Sequence, residues 1–578
     1  MFRRNERHQQ GNLFSEINNL TAKARADLEQ SWAGVYYREC FCRLDETVFA
    51  VLYSDEASRP NIPVNILVGL ETLKAGFGWS DAEMYDHFRY DIQVRYALGL
   101  WVLGEGEFQL RTVYNFRRRL VQHYESTGEN LLDQAFAQVT DAQIRALQLK
   151  TRCLRMDSTQ VASNIRRMTR LEFAVEILQR VYRMLSADDQ AHYAEAFAPY
   201  LQGSSEQYVY HLRGEETAPH LQRVGELMHR LLAELKATYE VNAIYTMLQR
   251  VFGEQFDLVD GAVQVKPGKQ ISPRRLRSPD DTDATFRRKG EKEYEGFVAN
   301  VTETCEPDNP IQLITKVQTA PNVVEDTQLL AEALPELKKR TGVEVLYNDA
   351  GFCGADADKA LRKEQVLQVP TDLRGRAPNP VRLNLADFET HTDGQGQPVA
   401  VTCPHGETVT VRSGRTPKHC LAYFPASACS ACPLQDRCPT RLRQRDGRRT
   451  LRFDRQQLDT AQRRRRCAAY RREGKNPRAA IEATVGAVKR PFNDDQLPVR
   501  GLFRVGAMLL GSAMMVNVRR MQRYFAAKAA PKRPAEGSPT GREAVDDSQS
   551  SFSSLLQRGL ARLFGPAASS RPKFALGC

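Results

Sequence analysis

The sequence predicts an α/β chain: an all-α N-terminal region, then a mixed β-sheet core interrupted by a helical insertion and a cysteine-rich insertion. Three observations carry this expectation. Apolar residues recur three and four apart in the first 150 residues. Strand-like and helix-like segments alternate between 294 and 370. The stretch 376–455 then breaks that alternation with Pro, Gly and Cys.

In chain order, 64–74 has the apolar spacing of a helix, and Ser80-Asp-Ala-Glu-Met opens another with a serine cap and acidic first turn. Residues 111–120 read as a basic helix with Val113, Phe116 and Leu120 on one side. Cys153-Leu-Arg-Met-Asp157 is a first strand. Amphipathic patterns at 171–185 and 221–235 follow it, so a helical insertion is expected at about 166–265, with a loop rich in Pro, Arg and Lys at 266–292. Strands resume at 294–302 and 311–317. A helix at 326–340, a buried strand at 343–349, a helix at 355–364 and a strand at 364–370 complete the alternation. After the 376–455 insertion come a helix at 478–489 and an apolar helix at 502–518. Three regions are thus expected, 1–150, 151–525 and 526–578. The last is dominated by Ala, Pro, Lys, Ser and Gly, and is read as a mostly disordered basic tail with a helix at 552–564.

With 578 residues the chain has room for two to four domains. A net charge of +12 and a pI near 9.1 favour an anionic partner. No apolar run approaches the roughly 20 residues of a membrane span, and the N-terminal residues lack the apolar centre of a signal peptide, so a cytoplasmic location is expected. Twelve cysteines diluted over so long a chain do not make a disulfide scaffold. Cys40, Cys42, Cys153, Cys305, Cys353, Cys467 and Cys578 read as ordinary thiols, whereas five gather between 403 and 438.

The chemistry points to three carboxylates. Asp157 closes one apolar run, where a charge needs a partner. Asp349 ends the run Val343-Glu-Val-Leu-Tyr-Asn-Asp and precedes Gly351, which permits close backbone approach. Glu482 lies among good helix formers, with Arg478 four residues before it and Lys489 seven after, on one helical face. Two strand-end aspartates and one helix glutamate suit two Mg²⁺ ions, hard cations that favour oxygen ligands. Asp280, Asp281 and Asp283 read as a solvated loop cluster, and Asp356 and Asp358 as solvent-facing helix positions.

Cys429-Ser-Ala-Cys432, Cys438 and the more distant Cys403 have the composition of a closed structural Zn²⁺ site. Cys420, His405 and His419 compete for the fourth place. Between 441 and 478, fifteen Arg or Lys stand against four Asp or Glu. Because this run leads directly into the Glu482 helix, it is read as contacting a nucleic-acid backbone rather than as a merely solvated face.

The blocks Asp157-Ser-Thr159, Asn348-Asp-Ala-Gly-Phe352 and Arg478-x3-Glu482-x6-Lys489 resemble the three signatures of bacterial insertion-sequence transposases of the DDE type. Ser58-Arg-Pro-Asn-Ile-Pro-Val-Asn65, Arg95-Tyr-Ala-Leu-Gly-Leu100 and 111–119 resemble that family's helical N-terminal domain. The likeness covers most of 10–525. One position departs, Lys475, where a tyrosine is common. The resemblance implies an RNase H-like core and Mg²⁺ or Mn²⁺ held by Asp157, Asp349 and Glu482, with Asp157 bridging two ions. It further implies cleavage of double-stranded DNA at element ends and joining to target DNA by at least a dimer, near the bacterial nucleoid. Expected DNA contacts are Arg117, Arg118, Arg119, Arg478, Lys489 and Arg490, with the 266–292 loop along the DNA path. The alternative is a catalytically silent end-binder or repressor derived from such an enzyme.

Overall fold

In the computed structural model, the structure describes residues 1–10, 15–54, 56, 60–373, 375, 377–393, 396–414, 418–473, 477–492 and 496–530. Lys475, Ser58, Arg59 and nearly all of the expected tail, including its 552–564 helix, lie outside the described residues. Met1–Lys528 form one compact unit.

The N-terminal region is helical, as its periodicity requires: Val64–Phe77, Asp81–Tyr90, Arg111–Thr127 and Leu131–Ala146 are its longest helices, preceded in the chain by the shorter Ala22–Gln30 and Trp32–Glu39. Ser80 and Glu83 form a reciprocal capping box at the start of Asp81–Tyr90. Val113, Phe116 and Leu120 are the buried stripe of Arg111–Thr127. Gly78 ends its helix at φ +75°, and a Cβ there would come within 2.2 Å of the Pro491 carbonyl oxygen. Only glycine lets this turn approach the chain so closely just beyond the Glu482 helix.

The strands in chain order are β1 (Cys153–Ala162), β2 (Phe256–Val259), β3 (Ala262–Val265), β4 (Thr285–Lys289), β5 (Lys292–Thr304), β6 (Ile314–Pro321), β7 (Val345–Asn348), β8 (Leu367–Pro370), β9 (Glu389–Thr392), β10 (Pro398–Thr402), β11 (Thr408–Ser413), β12 (His419–Phe424), β13 (Arg441–Leu442) and β14 (Arg449–Asp454). Among the described residues the main sheet runs β4-β5-β1-β7-β8, with β6 also on β5. β5 is antiparallel to β1, β4 and β6, whereas β1, β7 and β8 are mutually parallel.

Strand alternation decides what each face of this sheet carries. Leu154 and Met156 of β1 join Leu330, Leu334 and Leu337 of helix Asp326–Thr341 in one core. Val161, with Phe297, Ala299 and Val301 of β5, belongs to a second core. Ile481, Val485 and Val488 of helix Ala479–Lys489 enter that second core, as do the N-terminal helices and helix Leu502–Ala529. Arg155 and Asp157 have the parity of Val161, so they face the Glu482 helix. The N-terminal helices and the sheet therefore share one hydrophobic core.

Helix Leu502–Ala529 is long and apolar enough to cross a membrane, but its most apolar window is 72% buried inside the fold. It serves the sheet directly. The Asn517 amide accepts from the Ile314 backbone N–H at 2.8 Å and donates to its carbonyl at 3.0 Å, satisfying the backbone at the start of β6.

Residues 170–265 form the helical insertion, with Arg170–Met184, Thr217–Glu234 and Ala243–Gln255 around their own core and β2–β3 as a hairpin. The loop expected at 266–292 is partly a strand: Thr285–Lys289 pairs with β5 as β4. The aspartates in it are not simply solvated. Asp281 is buried and accepts from the Gly501 N–H at 2.9 Å, and Asp283 accepts from the Leu502 N–H at 3.1 Å. They cap the last helix, whose unpaired N–H groups attract carboxylates. Asp358 likewise does not face solvent, because Arg463 binds its carboxylate.

The cysteine-rich segment is a second, antiparallel sheet, β13-β14-β12-β11-β10-β9. Helix Arg455–Glu473 leads from it back to the main sheet, packing along β8. Much of the arginine run is spent on that return: Arg463 binds Asp358, Arg455 and Arg362 share Asp459, and Arg466 and Arg465 donate to the carbonyls of Gln368 and Ala386.

Candidate active site

β1 and β7 place two carboxylates side by side. Their register pairs Leu154 with Leu346 and Arg155 with Tyr347. Continued by two residues, it sets Asp157 level with Asp349. Asp157 is largely buried, and its Oδ1 accepts from the Ser158 N–H at 3.1 Å. Asp349 follows β7 directly and accepts from the Gly351 N–H at 2.7 Å, which fixes the turn Ala350–Phe352. Burial raises the Asp157 pKa above the usual carboxylate value; Arg478 opposes that rise and the charge of Asp349 adds to it.

Glu482 lies in the first turn of Ala479–Lys489 and is exposed. Arg478, at the N-cap, joins it to the strand: its guanidinium is 3.3 Å from Asp157 Oδ1 and 3.3 Å from Glu482 Oε1. The buried Nε of Arg478 has no hydrogen-bond partner among the described residues. Thus the two aspartates are adjacent and the glutamate is tied to one of them through a cation. Among the described residues no three His, Cys, Asp or Glu side chains are drawn into a metal-holding group.

Lys489, at the other end of the same helix, reaches β1 and donates to Thr159 Oγ1 at 3.1 Å and to the Gln160 carbonyl at 3.4 Å. Arg490 is exposed beside it. In Arg111–Thr127, Arg118 and Arg119 are exposed. Arg117 differs, because its guanidinium pairs with Glu71 at 2.7 Å and with both oxygens of Asp81. Burial alone would raise the Asp81 pKa, but hydrogen bonds from Arg117 and Lys74 bring it down to about 2.

Cys403 sits at the turn between β10 and β11, Cys429 in helix Ala426–Ser430, and Cys432 and Cys438 in the turns that follow. Burial raises the Cys429 thiol pKa, Cys438 adds to the rise, Arg449 opposes it, and Cys403 and Cys432 add further. The other three thiols therefore lie within electrostatic reach of Cys429. Cys420 instead interacts with Arg455 and Asp454.

Sequence patterns did not single out the buried polar group behind the carboxylates. Glu303 of β5, 0% exposed, accepts from Arg155 Nε at 2.6 Å, from Arg520 Nη1 at 2.6 Å and from Thr484 Oγ1 at 2.9 Å. One signal was available: Arg155 shares the Asp157 face of β1, and Glu303 follows the apolar stretch Phe297-Val-Ala299 and Val301 within a strand that is buried from Gly296 onward.

Residues 402–522 match the family model described as "Transposase DDE domain". The matched segment contains Arg478, Glu482, Lys489 and all four grouped cysteines, while Asp157 and Asp349 precede it. No curated protein and no solved structure matches the chain.

Proposed function

Taking the chain as a DDE transposase on the strength of the domain at 402–522, we propose that it binds the ends of a bacterial insertion sequence, cleaves the DNA there and joins the freed ends to target DNA. The observation that carries this reading is that Asp157 on β1 and Asp349, next after the parallel neighbour β7, lie near enough for the charge of one to act on the other, with Glu482 tethered to Asp157 through Arg478. The order β6-β5-β1-β7-β8, antiparallel on one side of β1 and parallel on the other, supports an RNase H-like core.

The residues fit Mg²⁺ or Mn²⁺: the charge of Asp349 raises the cost of ionising Asp157, and a divalent cation relieves that repulsion. Asp157, Asp349 and Glu482 would hold two ions. When bound, the ions supply charge neutralisation on the scissile phosphate and acidify the attacking hydroxyl. Arg478 fits a second task. Its guanidinium can turn from the exposed Glu482 to a phosphate oxygen, which frees that carboxylate for the metal. Arg490 and Lys489 extend this basic surface, while Arg118 and Arg119 suit duplex contact. Arg117, paired with two carboxylates, is assigned to holding the helix that presents them.

Cys403, Cys429, Cys432 and Cys438 suit a structural Zn²⁺ by their donor chemistry, four soft sulfur ligands carried by one sheet and its turns. DNA acts as the partner, and joining two ends calls for at least two copies of the chain. A supercoiled plasmid carrying the element ends, incubated with protein and Mg²⁺ or Mn²⁺, tests the reading. Nicked and joined products are expected; binding without cutting identifies the silent end-binder.

A further inference from the structure

We infer that Glu303 is a positioning residue for this site, clamping β1 to the helix that bears Glu482. The inference rests on the reading of Asp157, Asp349 and Glu482 as the metal-holding set.

Each arm of the clamp ends beside a site residue. Arg155, bound to Glu303 at 2.6 Å, lies two residues before Asp157 on the same face of β1, about 6.6 Å along the strand. The other end of the Arg155 guanidinium donates to the Pro477 carbonyl, adjacent to Arg478. Thr484, bound to both Glu303 oxygens at 2.9 Å, lies two residues after Glu482. Arg520 closes the group from helix Leu502–Ala529, reaching Glu303, Thr484 and the Gln312 carbonyl. Glu303 itself pairs with Arg155 across the β1–β5 register.

Adhesion does not explain this arrangement. Burying one carboxylate with two guanidiniums carries a desolvation cost for each ion, and apolar side chains of similar volume would hold strand and helix together as well. Directed hydrogen bonds add what apolar contact lacks, a fixed rotation and height of the helix relative to the strand. Ile481, Val485 and Val488 pack the helix onto the core, but a slide along that apolar seam would carry Glu482 away from Asp157. Glu303 opposes that slide by holding Thr484 on the helix and Arg155 on the strand at once.

Two near-isosteric variants of the full chain test the clamp, Glu303→Gln, which removes the charge, and Thr484→Val, which removes one hydroxyl. Both are read by Mn²⁺ titration and by the Mg²⁺ concentration needed for half-maximal nicking. Metal affinity is expected to fall about tenfold, the scale of outer-shell substitutions at metal sites. Metal-free affinity for DNA should hold, and the double variant should be no worse than Glu303→Gln. Unchanged Mn²⁺ affinity in both variants, with only a lower unfolding temperature, overturns the inference. If the unsubstituted chain takes up Mn²⁺ yet nicks nothing, the cleavage reading falls while the clamp is still decided by Mn²⁺ affinity.

Discussion

The carboxylate site and the cysteine group are built on opposite plans. Asp157, Asp349 and Glu482 come from three distant segments, related by the pairing of β1 with β7 and by the Arg478 link rather than by local turns. The four thiols come from one antiparallel sheet and its turns, where Gly406 bonds back to Cys403 and Cys432 back to Cys429. The first site depends on the whole core and carries its own cation, Arg478. The second depends on local turns. Damage far from the carboxylates should therefore reach them, whereas loss of the thiol group should remain largely within its own sheet.

The largest effect expected is at the carboxylates. Asp157→Asn, Asp349→Asn or Glu482→Gln should each lower nicking on the order of a thousandfold or more, the scale of several kcal/mol of transition-state stabilisation. DNA affinity should stay nearly unchanged, because the basic contacts remain. Near-normal nicking by any one variant removes that residue from the site.

Next comes the thiol group. Freshly reduced protein should contain about one Zn²⁺ per chain if the four thiols close a single tetrahedron. Cys432→Ser should release it and expose β9–β14 to proteolysis while the N-terminal helices and main sheet stay resistant. Metal analysis that finds no zinc ends this half of the comparison, and proteolysis that spreads to the main sheet blurs it.

Arg117 sharpens the contrast between a structural and a DNA-facing arginine. Arg117→Ala leaves Glu71 and Asp81 without their guanidinium and should destabilise the chain by roughly 2 kcal/mol, the scale of charge-assisted hydrogen bonds at a partly buried site. The pH dependence has a definite sign. Asp81 has a folded pKa of about 2, below the roughly 3.9 of an unfolded aspartate. Its stabilisation is therefore present above pH ~4 and lost as pH falls toward 2, an amount of ~2 kcal/mol. Acid unfolding of Arg117→Ala should lack part of that term, since Lys74 still pairs with Asp81. Arg118→Ala should leave stability alone and weaken preference for element ends.

The smallest effect is expected at Lys489, which already donates to Thr159 and Gln160. Lys489→Ala should lower affinity for specific and random DNA about equally and reduce the salt slope by roughly one unit. An unchanged slope would make Lys489 a strut between helix and β1 rather than a phosphate contact.

Sequence patterns by themselves determined the local elements. The apolar spacing in 64–74, the Ser80 cap, the alternating segments from 294 to 370 and the helix around Glu482 are all present, because periodicity and capping act over a few residues. They also marked Asp157 as a charge closing an apolar run, Asp349 by the glycine beside it and Glu482 by the basic residues on its helical face. Tertiary structure decided what those patterns could not carry. It turned 285–289 into the strand β4, buried Asp281 as a cap for a helix more than two hundred residues away, and gave Arg117 and Arg463 to carboxylate partners rather than to an open face. It also gathered Arg155, Glu303, Thr484 and Arg520 into one buried group. The physical reason is common to all four. A charge reads the same in sequence whether it is solvated or paired, and its partner is chosen only when distant segments pack and exclude the water that would otherwise satisfy it.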